Sequence, residues 1–348
     1  MSDRLSKIVL DFVRGEGAVA AGIVTRETLI GGPPSVDLTY VQPGACSAVS
    51  FAVPLKQDLI DPYLAKKDRR GHERDNLEIH ARCSGIALNL AKYLEQKGHP
   101  SVPIAANNVY RADSPGGRPD MMPDLSLRYL AVASGIGHFG LSGNVILPEL
   151  GAAVILGGLV TTAELAATCP LPGKAGTCDQ CRICQAVCPS GMMDPKEEAR
   201  ITLAGREFAY SRRRDYLRCQ YVCGGFTGLH PSGQWSTWSP GRFAIPEKDE
   251  DFRAAMVKGL KAYARRPGME GGFYHPLMRD KVYITCGNCQ LVCHPDKGER
   301  KRRLDLLQSG GVVIQAEDGS LFAVSPEKAE AHLQAMSKEQ RALYVDNG

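Results

Sequence analysis

Apolar positions recur at helical spacing at both ends of the first half of the chain. Over residues 1–14, Leu5, Ile8, Val9, Phe12 and Val13 fall on one face of a helix. Over 73–97, Leu77, His80, Ala81, Ser84, Leu88, Ala91 and Leu94 repeat the same period, and Gly98 supplies the stop. Between them the pattern changes to strand. A strand is expected at 17–24, and 46–53 is a run of small and β-branched residues that ends at Pro54 and reads as buried. Residues 106–123 are rich in Pro and Gly without periodicity and read as a long loop, a feature that is often functional. A short helix at 126–134, a glycine-rich turn, and strands at 145–147 and 152–161 follow. Near the end, 311–324 alternates around Asp318-Gly319 as a hairpin does, and a helix is expected over 326–344.

After Cys169-Pro170 the periodicity weakens. Residues 170–295 hold nine of the twelve cysteines, and weak patterning is what a stretch organised by metal rather than by apolar packing would give. The expected division is therefore 1–165, 166–300 and 301–348, the last being the hairpin and helix. With 348 residues, 43% of them hydrophobic, there is material for a sizeable core. The net charge of +4 is too small to imply nucleic acid, and the basic runs at 212–214 and 300–303 read as solvated faces. The N-terminal segment lacks the apolar core of a secretory signal and a twin-arginine pair. No apolar run reaches membrane-spanning length, so the chain reads as cytoplasmic with no membrane partner. In that compartment so many cysteines point to metal rather than disulfides.

The cysteines have a specific spacing. Cys178-Asp-Gln-Cys181-Arg-Ile-Cys184-Gln-Ala-Val-Cys188-Pro189 is the bacterial ferredoxin pattern, in which three thiolates ligate one 4Fe–4S cluster and the fourth ligates another. A matching set stands at Cys286, Cys289 and Cys293, so one cluster takes Cys178, Cys181, Cys184 and Cys293. The other takes Cys188, Cys286, Cys289 and one more, for which Cys219 and Cys223 compete. Two CxxC units could also make four-cysteine zinc sites, but the run of four closed by proline argues against it. Cys46, Cys83 and Cys169 stand alone and read as buried structural thiols.

Residues 135–140, Gly-Ile-Gly-His-Phe-Gly, match G-x-G-x-x-G, but a helix precedes them and a turn follows, which is the wrong context for a dinucleotide fingerprint. Two readings remain: a tight turn, or a backbone that closely approaches a large flat ligand.

The succession LAVASGIGHFGLSGN, ILPELGAAVILGGLVTT, CxxCxxCxxxCP, an isolated cysteine and CxxCxxxC resembles epoxyqueuosine reductases and the related reductive dehalogenases, most clearly over 100–295. The resemblance implies an α/β (α+β) fold: a nitroreductase-like domain that binds base-off cobalamin, followed by a ferredoxin-like domain with two 4Fe–4S clusters. It places Gly135, Gly137, His138, Gly140, Ser142 and Asn144 near the corrinoid, with Gly157 and Thr161 in the strand behind, and favours Cys219 as the eighth cluster ligand. The family's acid falls near Met121 here, flanked by Asp120 and Asp124; with Tyr110 and His138 these are the candidate proton donors. The sequence departs from the family at several points. Leu141 stands where a lysine is usual, His138 where a tryptophan is usual, His294 separates Cys293 from Pro295, and the tail over 301–348 is expected to form only a hairpin and helix rather than tRNA-holding helical repeats.

The function implied is a cobalamin- and iron–sulfur-dependent reductase. Electrons would come from a low-potential donor of ferredoxin or flavodoxin type, and the substrate would be a small organic molecule or a modified nucleoside, with tRNA disfavoured. The alternatives are a protein that reduces or activates a corrinoid without an organic substrate of its own, and a plain redox carrier.

Overall fold

Ser47–Pro54 carries the sequence Ser-Ala-Val-Ser-Phe-Ala-Val-Pro, and every residue but the proline is buried. A strand with small and apolar side chains on both faces has to be covered on both faces, and it takes a central place in its sheet. The computed structural model describes residues 2–105, 109–172, 178–268 and 284–346; positions 106–108 of the expected loop lie outside them. Its contacts divide the chain into two units that interleave along the sequence. One comprises Met1–Leu55, Asn76–Cys181 and Glu197–Ser211; the other comprises Lys56–Asp75, Arg182–Lys196 and Arg212–Gly348.

The first unit is built on a four-stranded antiparallel sheet of β1 (Ala20–Thr25), β2 (Ser47–Pro54), β3 (Ser101–Ile104) and β6 (Val154–Thr161), in the order β1-β2-β6-β3. Phe51 faces Gly157 across β2 and β6, and a Cβ on Gly157 would lie 2.4 Å from the Phe51 ring, so the glycine makes room for the largest side chain of β2. The helix Leu127–Ala133 buries Leu130, Ala131, Val132 and Ala133 in the core that also takes Val24, Ala48, Ala52 and Val160. Gly22 lets that helix end close to β1: a Cβ there would stand 2.5 Å from the Ser134 carbonyl. Between the helix and β6 runs a small hairpin of β4 (His138–Phe139) and β5 (Val145–Ile146).

The second unit has little sheet. It holds the hairpin of β9 (Val312–Gln315) and β10 (Leu321–Val324), with Asp318 at the turn accepting from the Ser320 N–H and hydroxyl. The helix Pro326–Ala335 packs on β9 and is followed, after a break at Met336-Ser337, by a separate turn, Lys338–Arg341. An aromatic core forms around the helices Tyr216–Cys223 and Phe252–Tyr263, with Tyr221 stacked on Phe226 and edge-on to Phe252. The weak periodicity of the cysteine region therefore does not mean the lack of an apolar core. The core is aromatic, and its members come from short, scattered segments.

Two strands not expected from the sequence, β7 (Met193–Leu203) and β8 (Arg206–Arg213), pair around Ala204-Gly205, both of which adopt positive φ. The architecture is mixed α/β. Among the described residues no helix is long and apolar enough to cross a membrane.

Candidate metal centre

Each cysteine motif ends its CxxC step in one short helical turn, Ile183–Ala186 in the first and Asn288–Leu291 in the second, and the two turns pack on each other. Within the second unit this packing, with the helix Tyr216–Cys223, gathers thiols that are far apart in sequence. Cys219 acts electrostatically on both Cys188 and Cys286, and Cys188 and Cys289 act on Cys286. Burial pushes the Cys188 and Cys286 thiols up, and crowding by the other sulfurs pushes further in the same direction. Cys219 is exposed as a residue, yet its thiol is held well above the usual range, first by a hydrogen bond with Cys223 and then by burial. Cys223 itself reaches toward Gln220 and exerts no such effect on Cys188 or Cys286.

Backbone donors surround these sulfurs. The Met192 N–H points to Cys188 Sγ at 3.4 Å, and the Asn288 N–H donates to the Cys286 thiol. Inside the first motif, Gln180 and Arg182 are two of five non-glycine residues with positive φ among the described residues, a conformation that costs roughly 1–2 kcal/mol each. The side-chain Nδ2 of Asn288, between Cys286 and Cys289, is buried with no hydrogen-bond partner. No disulfide joins any of the described cysteines. Among the described residues no three His, Cys, Asp or Glu side chains converge on one point as a single metal ion requires. A mononuclear centre needs its donors about 2.3 Å from the ion; a cubane spreads four thiolates over the corners of a larger box.

The loop that carries Cys286, Cys289 and Cys293 is braced from outside. Arg303 donates to the Leu291 carbonyl at 2.9 Å, and Arg300 to those of His294 and Pro295 at 2.7 and 3.0 Å. Both arginines are buried, which corrects the reading of 300–303 as a solvated face: only part of that run meets solvent, and the rest caps carbonyls. On another side Ile284 is clamped, its N–H donating to Glu73 Oε1 at 2.7 Å and its carbonyl accepting from the Tyr63 hydroxyl at 3.2 Å. Burial lifts the Glu73 carboxyl to about 7 against the pull of Arg69, and drops the His72 imidazole to about 4. Lys66, also buried, is pushed down to about 7 by burial, opposed by the nearby Cys286 thiol.

The glycine turn belongs to the first unit. Its glycines are explained by the chain's own packing. A Cβ on Gly135 would lie 2.1 Å from the Cys169 carbonyl, one on Gly137 2.5 Å from Val145, and one on Gly140 2.5 Å from Ile146. Leu141 is fixed on both sides: its N–H donates to Cys178 Sγ at 3.3 Å and its carbonyl accepts from the Ser211 N–H at 2.9 Å. Arg128 donates to the Gly143 carbonyl, and Ser142 Oγ accepts from the Asn144 N–H. The turn is thus bound directly to the first cysteine of the ferredoxin run. His138 is the exception to this self-sufficiency, since its Nε2 is buried and has no hydrogen-bond partner, and burial lowers its pKa.

The strand behind is sealed. Thr161 has no exposed surface, and its hydroxyl is used by Ser101 and the Ala163 N–H. Gly157 faces the Phe51 ring. In the long loop, Tyr110 bridges to Pro123, and the Asp124 N–H donates to the Val109 carbonyl. Asp120 is exposed, with its carboxylate accepting from the Gly116 N–H, whereas Asp124 is half-buried, with its pKa raised chiefly by that burial. Of the isolated cysteines only Cys83 is buried, its thiol pushed up to about 12; Cys46 is half-buried and Cys169 exposed, unlike the buried thiols expected.

No protein-family model matches the chain, and no curated protein sequence matches it. Solved structures do. The catabolic reductive dehalogenase NpRdhA superposes with a TM-score of 0.50 at 12% identity, over 97% of this chain and 50% of that one. Epoxyqueuosine reductase from Bacillus subtilis matches at a TM-score of 0.42 and 14% identity, over 98% of this chain and 88% of that one. An epoxyqueuosine reductase solved with an epoxyqueuosine-modified tRNA stem loop matches at 0.41 and 15%, over 87% and 80%. The fold is similar to that of the reductive dehalogenase, and the chain spans about half the length of the dehalogenase chain it matches.

Proposed function

We propose that this protein is an iron–sulfur and cobalamin-dependent reductase, with two 4Fe–4S clusters delivering electrons to a corrinoid that reduces a small organic substrate. The observation that carries the reading is the gathering of Cys188, Cys219, Cys286 and Cys289, drawn from three separate stretches of sequence, into one electrostatic neighbourhood. Thiols crowded together without disulfides, with backbone N–H groups turned on two of the sulfurs, form a donor set suited to a cluster. Cys219 is favoured over Cys223 because Cys219 acts on Cys188 and Cys286, whereas the sulfur that Cys223 acts on is Cys219 itself. The second cluster rests on spacing alone, with Cys178, Cys181, Cys184 and Cys293 as its ligands.

The glycine turn is linked to the proposed ligand set. The Leu141 N–H on Cys178 Sγ couples the turn to a cluster ligand within one hydrogen bond. His138, buried with an unpartnered Nε2, is the polar group in the turn left for a bound cofactor to meet. When bound, a base-off corrinoid supplies a strongly reducing and nucleophilic cobalt. The chain's own part is to exclude water, orient the substrate and hold a proton. Asp124 suits the last role better than Asp120, because burial raises its pKa while Asp120 is committed to its own turn. Leu141 and His138 in place of the family's lysine and tryptophan argue for a substrate other than epoxyqueuosine in tRNA.

The test is the visible spectrum of anaerobically purified protein with and without added cobalamin, together with iron and sulfide content. Cluster absorbance that bleaches with dithionite, with corrinoid retained through gel filtration, is the expected result. Zinc in place of iron would defeat the cluster reading, and clusters without retained corrinoid would leave only a redox carrier.

A further inference from the structure

Lys66 is only 7% exposed, yet no carboxylate pairs with it among the described residues. Its one hydrogen-bond acceptor is the Leu64 carbonyl, at 3.1 Å. Its backbone sits at φ 57°, in the left-handed region that a lysine adopts only when the surroundings impose it. Those surroundings are specific. Tyr63 and Glu73, on either side of it in sequence, hold the carbonyl and the N–H of Ile284, two residues before Cys286. The stem passes beneath Gly310, where a Cβ would come within 3.1 Å of Lys66 Cγ. Arg302 ties the helix Lys297–Ser309 to Asp61, just before this segment, at 2.7 and 3.0 Å. A buried ammonium with no counter-ion is costly, so burial pushes Lys66 down to about 7; the one anion-forming group that acts to keep its proton is the Cys286 thiol, and an anionic cluster there would hold it charged. Asn288 adds a second donor on the same loop, its buried Nδ2 lacking an acceptor.

We infer that Lys66, with Asn288, sets the reduction potential of the cluster held by Cys188, Cys219, Cys286 and Cys289, an inference that rests on the cluster reading above. A four-thiolate cubane gains negative charge on reduction. A buried cation and an N–H donor beside one of its cysteines stabilise the reduced form and raise its potential relative to the other cluster. The two clusters are thereby made unequal, and electrons settle in a defined order. Lys66 is a positioning group for charge and touches no substrate.

The experiment is an EPR-monitored redox titration of the anaerobically purified full chain, with iron content measured on the same samples. Lys66→Met keeps the stem and removes the charge. One of the two cluster signals should move to lower potential while the other stays, with iron unchanged. Lys66→Arg should titrate close to the wild type, and Asn288→Ala, which spares the lysine should its loss impair folding, should shift the same signal less. Full iron with both potentials unmoved in Lys66→Met and Asn288→Ala would overturn the inference and leave the cluster reading standing. A wild-type protein without clusters would overturn both.

Discussion

The glycine turn at 135–144 and the cysteine loop at 284–295 are both irregular, glycine-bearing segments next to a candidate cofactor, yet they are built in opposite ways. In the turn, the space left by Gly135, Gly137 and Gly140 is filled by Cys169, Val145 and Ile146, and Leu141 is bonded through both its N–H and its carbonyl. In the cysteine loop the backbone is tethered by Arg300, Arg303, Tyr63 and Glu73, while polar groups in and near it are left unsatisfied. Thiols crowd one another, a lysine lies buried, and the Asn288 amide lacks an acceptor. A segment whose polar and steric demands are met by its own chain is a scaffold. One whose backbone is fixed but whose side chains conflict is completed by something else. His138, unsatisfied within an otherwise satisfied turn, is the point where the first kind of segment resembles the second.

The strongest way to break this contrast is at a sulfur. Cys286→Ser should cost about half of the bound iron, one cluster of two, and Cys219→Ser should do the same while Cys223→Ser leaves the iron content alone. Equal iron in all three would remove the distinction between the loop and the turn. The complementary attack is on the scaffold. Gly135→Ala places a Cβ against the Cys169 carbonyl at a residue with φ 78°, which should destabilise the protein by about 3 kcal/mol. Thermal unfolding would register the loss, and iron per folded chain should stay constant.

Glu73 gives a gentler probe of the tether. Its carboxyl is raised to about 7 mainly by burial, so the folded state holds that proton more tightly than the unfolded chain does. The resulting stabilisation is complete below the ordinary glutamate range and is lost as pH rises through about 7. Glu73→Gln, neutral throughout, should flatten the stability–pH curve between about pH 5 and 8; a curve of unaltered slope would mean that the carboxylate is already ionised in the fold. The smallest effect is expected at His138. Replacing it with Leu removes a polar atom that has no partner, so unfolding free energy should change by no more than about 1 kcal/mol. Corrinoid retention should fall, and a variant that still binds corrinoid as the wild type does would return the turn wholly to scaffold.

Much of the first unit could be read in advance because its strands and helices bury one periodic face. The expected strand at 46–53 is Ser47–Pro54 and the expected helix at 73–97 is Arg70–Gln96. The hairpin at Asp318-Gly319 was equally visible, since turn chemistry is local. The hairpin β7–β8 was hidden because Pro195, Lys196, Glu197 and Glu198 lie exposed in its first strand, leaving no alternation to read. Ala204-Gly205 at its turn was the signal available. The burial of Arg300 and Arg303 was also invisible, because sequence shows a guanidinium's charge and not the carbonyls that will absorb its donors. For the candidate site, spacing picked out cysteines of which Cys188, Cys219, Cys286 and Cys289 share one electrostatic neighbourhood. It could not show that the glycines would be occupied by their own chain, which depends on where Cys169, Val145 and Ile146 end up in space.

The arginine bracing of the cysteine loop bears on how the protein is made and repaired. Arg300 and Arg303 grip backbone carbonyls of the loop, and those contacts need no metal. On the proposed cluster reading, a chain stripped of iron by oxygen would keep these backbone contacts, and rebuilding would amount to delivering iron and sulfide to a loop already held in place. Maturation and damage recovery would then be limited by supply.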